Sequence, residues 1–369
     1  MLHILSSSLH SEELRLPFEI SEFWLQHHQA VAVLTGGTEG QFVELVHQDK
    51  LKLYEPIYLI VSQQSNSLAA AMEILAWLNS QGGVGKIVSK RVQSQTVLSY
   101  AEREESQPEV KIVTSASEDA VTDRIGVIGQ PSDWLIASWY DRDMLRDRLD
   151  IEVVDIPIEE VTSLGKVDSG MKGAEAVYDR LKEIIAKCHL TAITLRCFDL
   201  LKTVENTGCI ALSRLNDEGI PASCEGDVPT LVTMILSKRL TGCPGFQANP
   251  ARIDPETGKM LFAHCTIPLS MTETHSLATH FESGIGVAIH GELPEGDYTL
   301  VKVSGDLSRV FAENVQLVSN QYEPNLCRTQ VWLQASPEAA QMLLTNPIGN
   351  HHVIVPGHHA EKFITHLKA

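Results

Sequence analysis

Basic residues are scarce: 29 lysines and arginines stand against 47 aspartates and glutamates in 369 residues, for a formal net charge of −18. Binding a phosphate backbone requires clustered Lys and Arg that release counterions. With no basic run of useful length, no nucleic-acid partner is expected. Nothing approaches the ~18 continuous apolar residues of a membrane helix, so no membrane role is expected either. The opening "MLHILSSSLHSEELRL" has no basic leader, no sustained apolar stretch and no small-residue cleavage site, so it does not read as a signal peptide. Cysteine is absent before Cys188, and the seven from Cys188 onward never form a CxxC pair. Such a set fits reduced thiols better than a disulfide framework, and a cytoplasmic location is expected.

Two phosphate-binding signatures are also missing. "LTGGTEGQF" (34–42) follows a strand-like run, but its G-G-x-x-G spacing is not the G-x-G-x-x-G of a dinucleotide fold. Its backbone amides at Gly36, Gly37 and Gly40 suit either a tight turn or an anion cradle at a helix start. "SQGGVGKIVS" (80–89) has Gly85 before Lys86, yet Ser80 replaces the first glycine of a P-loop and Ile87 replaces its Ser or Thr. It reads as a helix stop. No period of 20 to 50 residues recurs, which argues against a solenoid.

What is present is an ordinary globular balance, 43% hydrophobic and 21% charged, over a length suited to two or three domains. The β-branched runs "AVAVL" (30–34), "IYLIV" (57–61), "KIVS" (86–89), "RIGVIG" (124–129) and "IEVVDI" (151–156) alternate with helical stretches, predicting a parallel α/β unit of flavodoxin type over 1–165. Within it, "NSLAAAMEILAWLNSQG" predicts a helix capped by Asn66 or Ser67 and stopped at Gly82, with Leu68, Met72, Leu75 and Leu78 on one face. A second α/β unit is expected over 166–247. From 248 to 369, runs such as "YTLVKVSG" and "CRTQVWLQ" alternate without long helices, as an antiparallel sheet or barrel would.

The chemistry concentrates in "PASCEGDVPTLVTMIL" (221–236). Glu225 follows a strand and precedes a helix, the place where open α/β sheets gather ligands. Ala222, Cys224 and Val228 imply burial, and a buried carboxylate needs a cation or strong donors. Asp227 suits a helix N-cap. His264 lies in an apolar strand, and His351 and His352 open another; because neighbours on a strand face opposite ways, one of that pair at most enters a given pocket. One carboxylate with two imidazoles suits a divalent ion such as Mn²⁺ or another transition metal. His358 and His359 read as surface residues.

"ALSRLNDEGIPASCEGDVPTLVTMIL", "LTGCPGFQANP", "FAHCTIP" and "GNHHVIV" resemble the L-fucose isomerase and L-arabinose isomerase superfamily, in particular its shorter fucose-isomerase-like members. "TGGTE" and "NSLAAAMEILAWL" extend the likeness over most of the chain, and it is strongest from 166 to 269. The resemblance implies two flavodoxin- or Rossmann-like α/β domains followed by a C-terminal antiparallel β-barrel. It implies a divalent metal, usually Mn²⁺, and interconversion of an aldose and a ketose through an enediol. Glu225 would be metal ligand and acid/base, His352 the distal ligand and His264 a third. In "GFQANP", Asn249 stands nearest to where the family carries its second carboxylate. An amide oxygen can bind a hard cation, but it has no charge and takes no proton.

The catalytic set implied is Glu225 with Asn249, and the metal set Glu225, Asn249, His264 and His352. Gly36, Gly37, Thr38, Glu39 and Asp227 are the substrate-binding candidates. Asp227, Glu39 or a water is left as the second acid or base. A homo-oligomer with sites near subunit contacts is expected by resemblance. The rival expectation is a catalytically silent sugar-binding or regulatory protein on the same scaffold.

Overall fold

The architecture is that of a computed structural model describing residues 2–7, 16–89 and 122–368. Of the opening stretch read for a leader, residues 1 and 8–15 lie outside the described residues. In chain order the strands are β1 (Leu2–Leu5), β2 (Gln29–Val33), β3 (Ile57–Val61), β4 (Gly85–Val88), β5 (Asp123–Ile128), β6 (Ile151–Ile156), β7 (Ala192–Leu195) and β8 (Ala222–Cys224). Then follow β9 (Phe246–Ile253), β10 (Lys259–His264), β11 (Thr274–Ala278), β12 (Ala288–Glu292), β13 (Gly296–Val303), β14 (Val310–Gln321), β15 (Thr329–Gln334) and β16 (His352–Pro356).

Strands β1 to β4 form a parallel sheet in the order β1-β2-β3-β4. A parallel sheet is covered on both faces, which is why "IYLIV" of β3 is apolar at every position and buried throughout. The helix Ser67–Ser80 is buried at nearly every residue, not on one face. It is apolar all round because it joins the first sheet's core to barrel residues such as Phe246 and Phe262. Asn66 precedes it in a left-handed conformation, but its side chain makes no cap bond and instead donates to Glu282 at 2.9 Å.

The second sheet is also parallel, in the order β6-β5-β7-β8. This corrects the grouping read from sequence, which placed 124–129 and 151–156 with the first unit. Alternation of strands and helices shows that strands run parallel, but not which strands are neighbours. Their partners are set by packing: Ile125, Val127 and Ile151 share a core with Leu231 and Ile235 of the helix Val228–Thr241. The flavodoxin-type order therefore belongs to this sheet. It has a switch point between β5 and β7, where the chain leaves in opposite directions and a crevice opens at the carboxyl ends.

Strands β10-β15-β14-β13-β16-β9 close an antiparallel barrel, with β11 and β12 paired as a separate hairpin. On β16, His352 and Ile354 face the barrel interior, whereas Val353 and Val355 pack outward against the helix Val228–Thr241. That helix lies between the second sheet and the barrel, with Val228 to Ser237 all buried. Burial of each such Val, Leu or Ile contributes about 1.5–3 kcal/mol. The contact fixes the end of β8 against the start of β16, the two places that carry Glu225 and His351.

Candidate metal centre and cleft

The turn after β8 places Glu225 and Gly226 in succession at φ of 67° and 74°. Gly226 has no alternative, because a Cβ there would lie 2.7 Å from Gln130 O and Pro131 Cα. Glu225 does carry a Cβ, and a non-glycine residue in the left-handed region is conformationally costly, by about 1–2 kcal/mol. The turn is held from outside, as Ser132 N–H donates to Glu225 O and Gly226 N–H to Leu195 O.

The Glu225 carboxylate is buried with two imidazoles. His351 Nε2 lies 3.4 Å and His264 Nε2 4.0 Å from Glu225 Oε1, while Trp134 Nε1 donates to Oε2 at 2.6 Å. One ligand atom from each of Glu225, His264 and His351 falls within 4.8 Å of the others, a grouping that can hold a metal ion. Burial disfavours the charged carboxylate, but His351, His264 and the Trp134 N–H outweigh it and hold Glu225 below its ordinary value. Burial, then the neighbouring His351, lowers His264 to about 4, so its ring is neutral and can offer a lone pair. Its Nδ1 pairs with Thr266 Oγ1 at 3.0 Å, which leaves Nε2 for the site.

His351 is where the structure departs from the expected ligand set. His352 was expected to join Glu225; instead it lies inside the barrel between Phe262 and Phe311, its Nδ1 bonded to Asn350 O at 2.9 Å. The alternation rule held, but the other member of the pair faces the site. His351 Nδ1 donates to Asp227 Oδ2 at 2.9 Å. Burial works against its charge, but Glu225 and Asp227 push it up to about 9. Asp227 also caps the helix Val228–Thr241 by accepting from Thr230 N–H at 2.8 Å. The N-cap expected from sequence is present, joined to a second task. Behind it, Lys302 is 1% exposed, with Nζ 3.8 Å from Asp227 Oδ2.

The site opens into a cleft of about 590 Å³ where the carboxyl ends of both sheets meet the barrel. Gly36, Gly37 and Glu39 line it from the first sheet, Trp134 and Glu225 from the second, and Asn249 and Glu282 from the barrel side. Asn249 is buried with Oδ1 unpaired, as a neutral donor awaiting a partner would be. Glu39, at the start of the helix Glu39–His47, is 1% exposed with Oε2 unpaired. Burial raises it well above the carboxylate range, and the charges of Glu73 and Glu225 add to this. Thr38 turns its hydroxyl back to Thr35 O and does not line the cleft; Asp227 does not line it either.

Sequence reasoning gave no role to Trp134, Glu282, Lys302 or Glu73. Glu73 left a signal, being the one charge in an otherwise apolar helix. It is fully buried and accepts from Ala137 N–H, Ser138 Oγ and Asn350 N–H, fastening the loop before His351 to the first sheet's helix. Among the described residues, no helix is long and apolar enough to cross a membrane.

No family model matches the chain. The sulfoquinovose isomerase of Alkalicoccus urumqiensis is 24% identical over 156 residues, 41% of this chain and 35% of that protein. That of Priestia aryabhattai is 26% identical over 152 residues, 40% of this chain and 34% of its own length. That of Clostridium sp. (strain MSTE9) is 29% identical over 115 residues, 31% of this chain and 24% of its own. The match thus spans about a third or less of each relative's length. Over part of its sequence, this chain is distantly similar to sulfoquinovose isomerases.

Proposed function

We propose that the protein is a metal-dependent isomerase that interconverts an open-chain aldose and ketose. The observation carrying this reading is a single cleft in which Glu225, one of three metal-capable side chains, is joined by a second buried carboxyl, Glu39, of opposite protonation preference. Carboxyl groups pushed apart in this way divide the roles of base and acid. Glu225, favoured as the anion, takes the proton from the carbon beside the carbonyl and returns it to the adjacent carbon. Glu39, favoured as the neutral acid, donates to the sugar oxygen that gains charge as the enediol forms. A divalent ion held by Glu225, His264 and His351, with Asn249 as a neutral donor, would supply Lewis-acid polarisation of the carbonyl. Trp134 fixes the Glu225 carboxylate and packs edge-on against Phe198 at a ring distance of 5.0 Å, both rings lining the cleft.

The relatives' name points to a sulfonated sugar, but the cleft here favours an uncharged one. Glu39, Asp199, Glu225 and Glu282 line it, and Lys202, an exposed residue, is the sole lysine or arginine among its described lining residues. Burial holds Glu39 and Glu282 toward the neutral form, so a sulfonate would meet the Glu225 carboxylate with one solvent-screened side-chain cation to offset it. A binding role without turnover is the second reading, favoured by Asn249, which offers the site no charge and no proton. The test is deuterium uptake from heavy water at C1 or C2 of neutral aldoses and ketoses with Mn²⁺, Co²⁺, Mg²⁺ or Zn²⁺. Exchange that Glu225→Gln abolishes supports the isomerase; sugar binding with metal bound and no exchange selects the binding protein.

A further inference from the structure

Behind the cleft lies a smaller pocket whose wall is rich in sulfur: Cys197, Cys209, Cys224, Cys265 and Cys327 all line it. Cys265 hydrogen-bonds with Cys209 and Cys327, and Cys197 Sγ and Cys224 Sγ lie 2.6 Å apart. Cys197 follows β7 and Cys224 ends β8, and these strands are neighbours paired through Leu195 and Cys224. A disulfide needs sulfurs about 2.05 Å apart. Bringing the sulfurs to that length takes a shift of roughly half an ångström.

Access decides which oxidant can reach the pair. Both residues are buried, at 7% and 4% exposure. The pocket holds about 20 Å³, and it meets the cleft through the shared residues Asn66, Phe198, Leu201, Glu225 and Glu282. A water-sized molecule needs at least about 10–15 Å³. Hydrogen peroxide fits such a space; a tripeptide disulfide or an aromatic disulfide reagent does not.

We propose that Cys197 and Cys224 form a peroxide-responsive dithiol that closes to a disulfide beside Glu225. In the first step one thiol attacks the peroxide, its sulfur is oxidised to a sulfenic acid, the O–O bond breaks and one water leaves. In the second, the other thiol attacks that sulfur, the S–O bond breaks and a second water leaves. Two thiols and one peroxide thus give one disulfide and two waters. A sulfenic acid condenses with a neighbouring thiol to a disulfide. The bond clamps the turn that holds Glu225, since Cys224 precedes it and its N–H is already fixed by Gln247 Oε1 at 2.7 Å. This inference does not depend on the isomerase reading.

The test uses the full chain, reduced and then exposed to hydrogen peroxide, to glutathione disulfide, or to neither, followed by peptide mapping and melting. Peroxide should yield a peptide pair joined through Cys197 and Cys224, reversed by dithiothreitol, with a melting temperature raised by a few degrees. Glutathione disulfide should leave the pair reduced. Cys197→Ser and Cys224→Ser should each lose both the cross-link and the shift in melting. The wild-type map stands even where a variant fails to fold. Sulfinic or sulfonic acid at either position, a bond formed by any other pair of cysteines in place of Cys197 and Cys224, cross-linked chains, equal reaction with glutathione disulfide, or a lower melting temperature on closure would each overturn the proposal.

Discussion

His351 donates from Nδ1 to Asp227 Oδ2 at 2.9 Å, and neither side chain has any exposed surface. The bond fixes the ring so that Nε2 faces Glu225, and it makes His351 rather than His352 the imidazole of the site. His351→Ala should therefore weaken divalent-ion binding by tenfold or more. His352→Ala should lower the melting temperature, because it empties a space between Phe262 and Phe311, and leave ion affinity within about twofold. Calorimetric titration with Mn²⁺ measures both, and the reverse order would return His352 to the ligand set.

Asp227 serves as helix cap and as partner of His351, and the two tasks can be separated. Asn is as good an N-cap as Asp. Asp227→Asn should keep the cap yet reduce ion affinity about 10–100-fold, the usual effect of losing a partner that orients a ligand. Both variants break the buried ion pairing with Lys302 and His351, at about 3–5 kcal/mol, and Asp227→Ala should be the less stable of the two because it also loses the cap, at about 1 kcal/mol more. Urea denaturation beside ion titration distinguishes the two variants.

A histidine must be neutral to bind a metal, and His351 is held up to about 9. Ion binding below that pH should release a proton, and affinity should rise with pH by up to about tenfold per unit until pH 9. The metal-free protein should respond in the opposite sense. The His351 contribution to its stability is full below about pH 6.5, the unfolded value, and is lost as pH rises through 9. Calorimetry in buffers of different ionisation enthalpy reads the proton; melting curves from pH 6 to 10 read the stability.

Asn249→Asp should tighten divalent-ion binding, because charged contacts are about twice as strong as neutral ones. The unpaired Oδ1 is the position to which charge would be added. Unchanged affinity in a folded Asp variant would place Asn249 on the sugar rather than on the metal.

Glu39→Gln should lower kcat by about 10²–10⁴-fold with a small change in KM, as expected for loss of an acid that acts in the transition state. A loss confined to KM would make Glu39 a sugar-binding residue without a proton-transfer role.

The antiparallel strands after 248 were legible because alternation in "YTLVKVSG" and "CRTQVWLQ" is a local property of the chain, whereas their closure into a barrel was implied by the resemblance. Glu225 was legible because a carboxylate between an apolar strand and an apolar helix contradicts its surroundings unless something pairs with it. Trp134 and Glu282 were not legible. Each reaches the cleft from a loop whose local sequence resembles any other loop, and the partners of each are distant in sequence, 91 residues for Trp134 and 216 for Glu282.

By itself the sequence determined many of the strands and helices, that α/β regions precede antiparallel strands, and that Glu225, His264 and one of two adjacent histidines are candidates for a metal site. Only the tertiary structure decided that β5 and β6 belong to the second sheet and that His351, not His352, turns toward Glu225. The reason is one of range. Periodicity and capping are set by neighbours along the chain, whereas sheet partners and the facing of a strand's first residue are set by what packs against it, here the helix Val228–Thr241 and the buried Asp227 at its start.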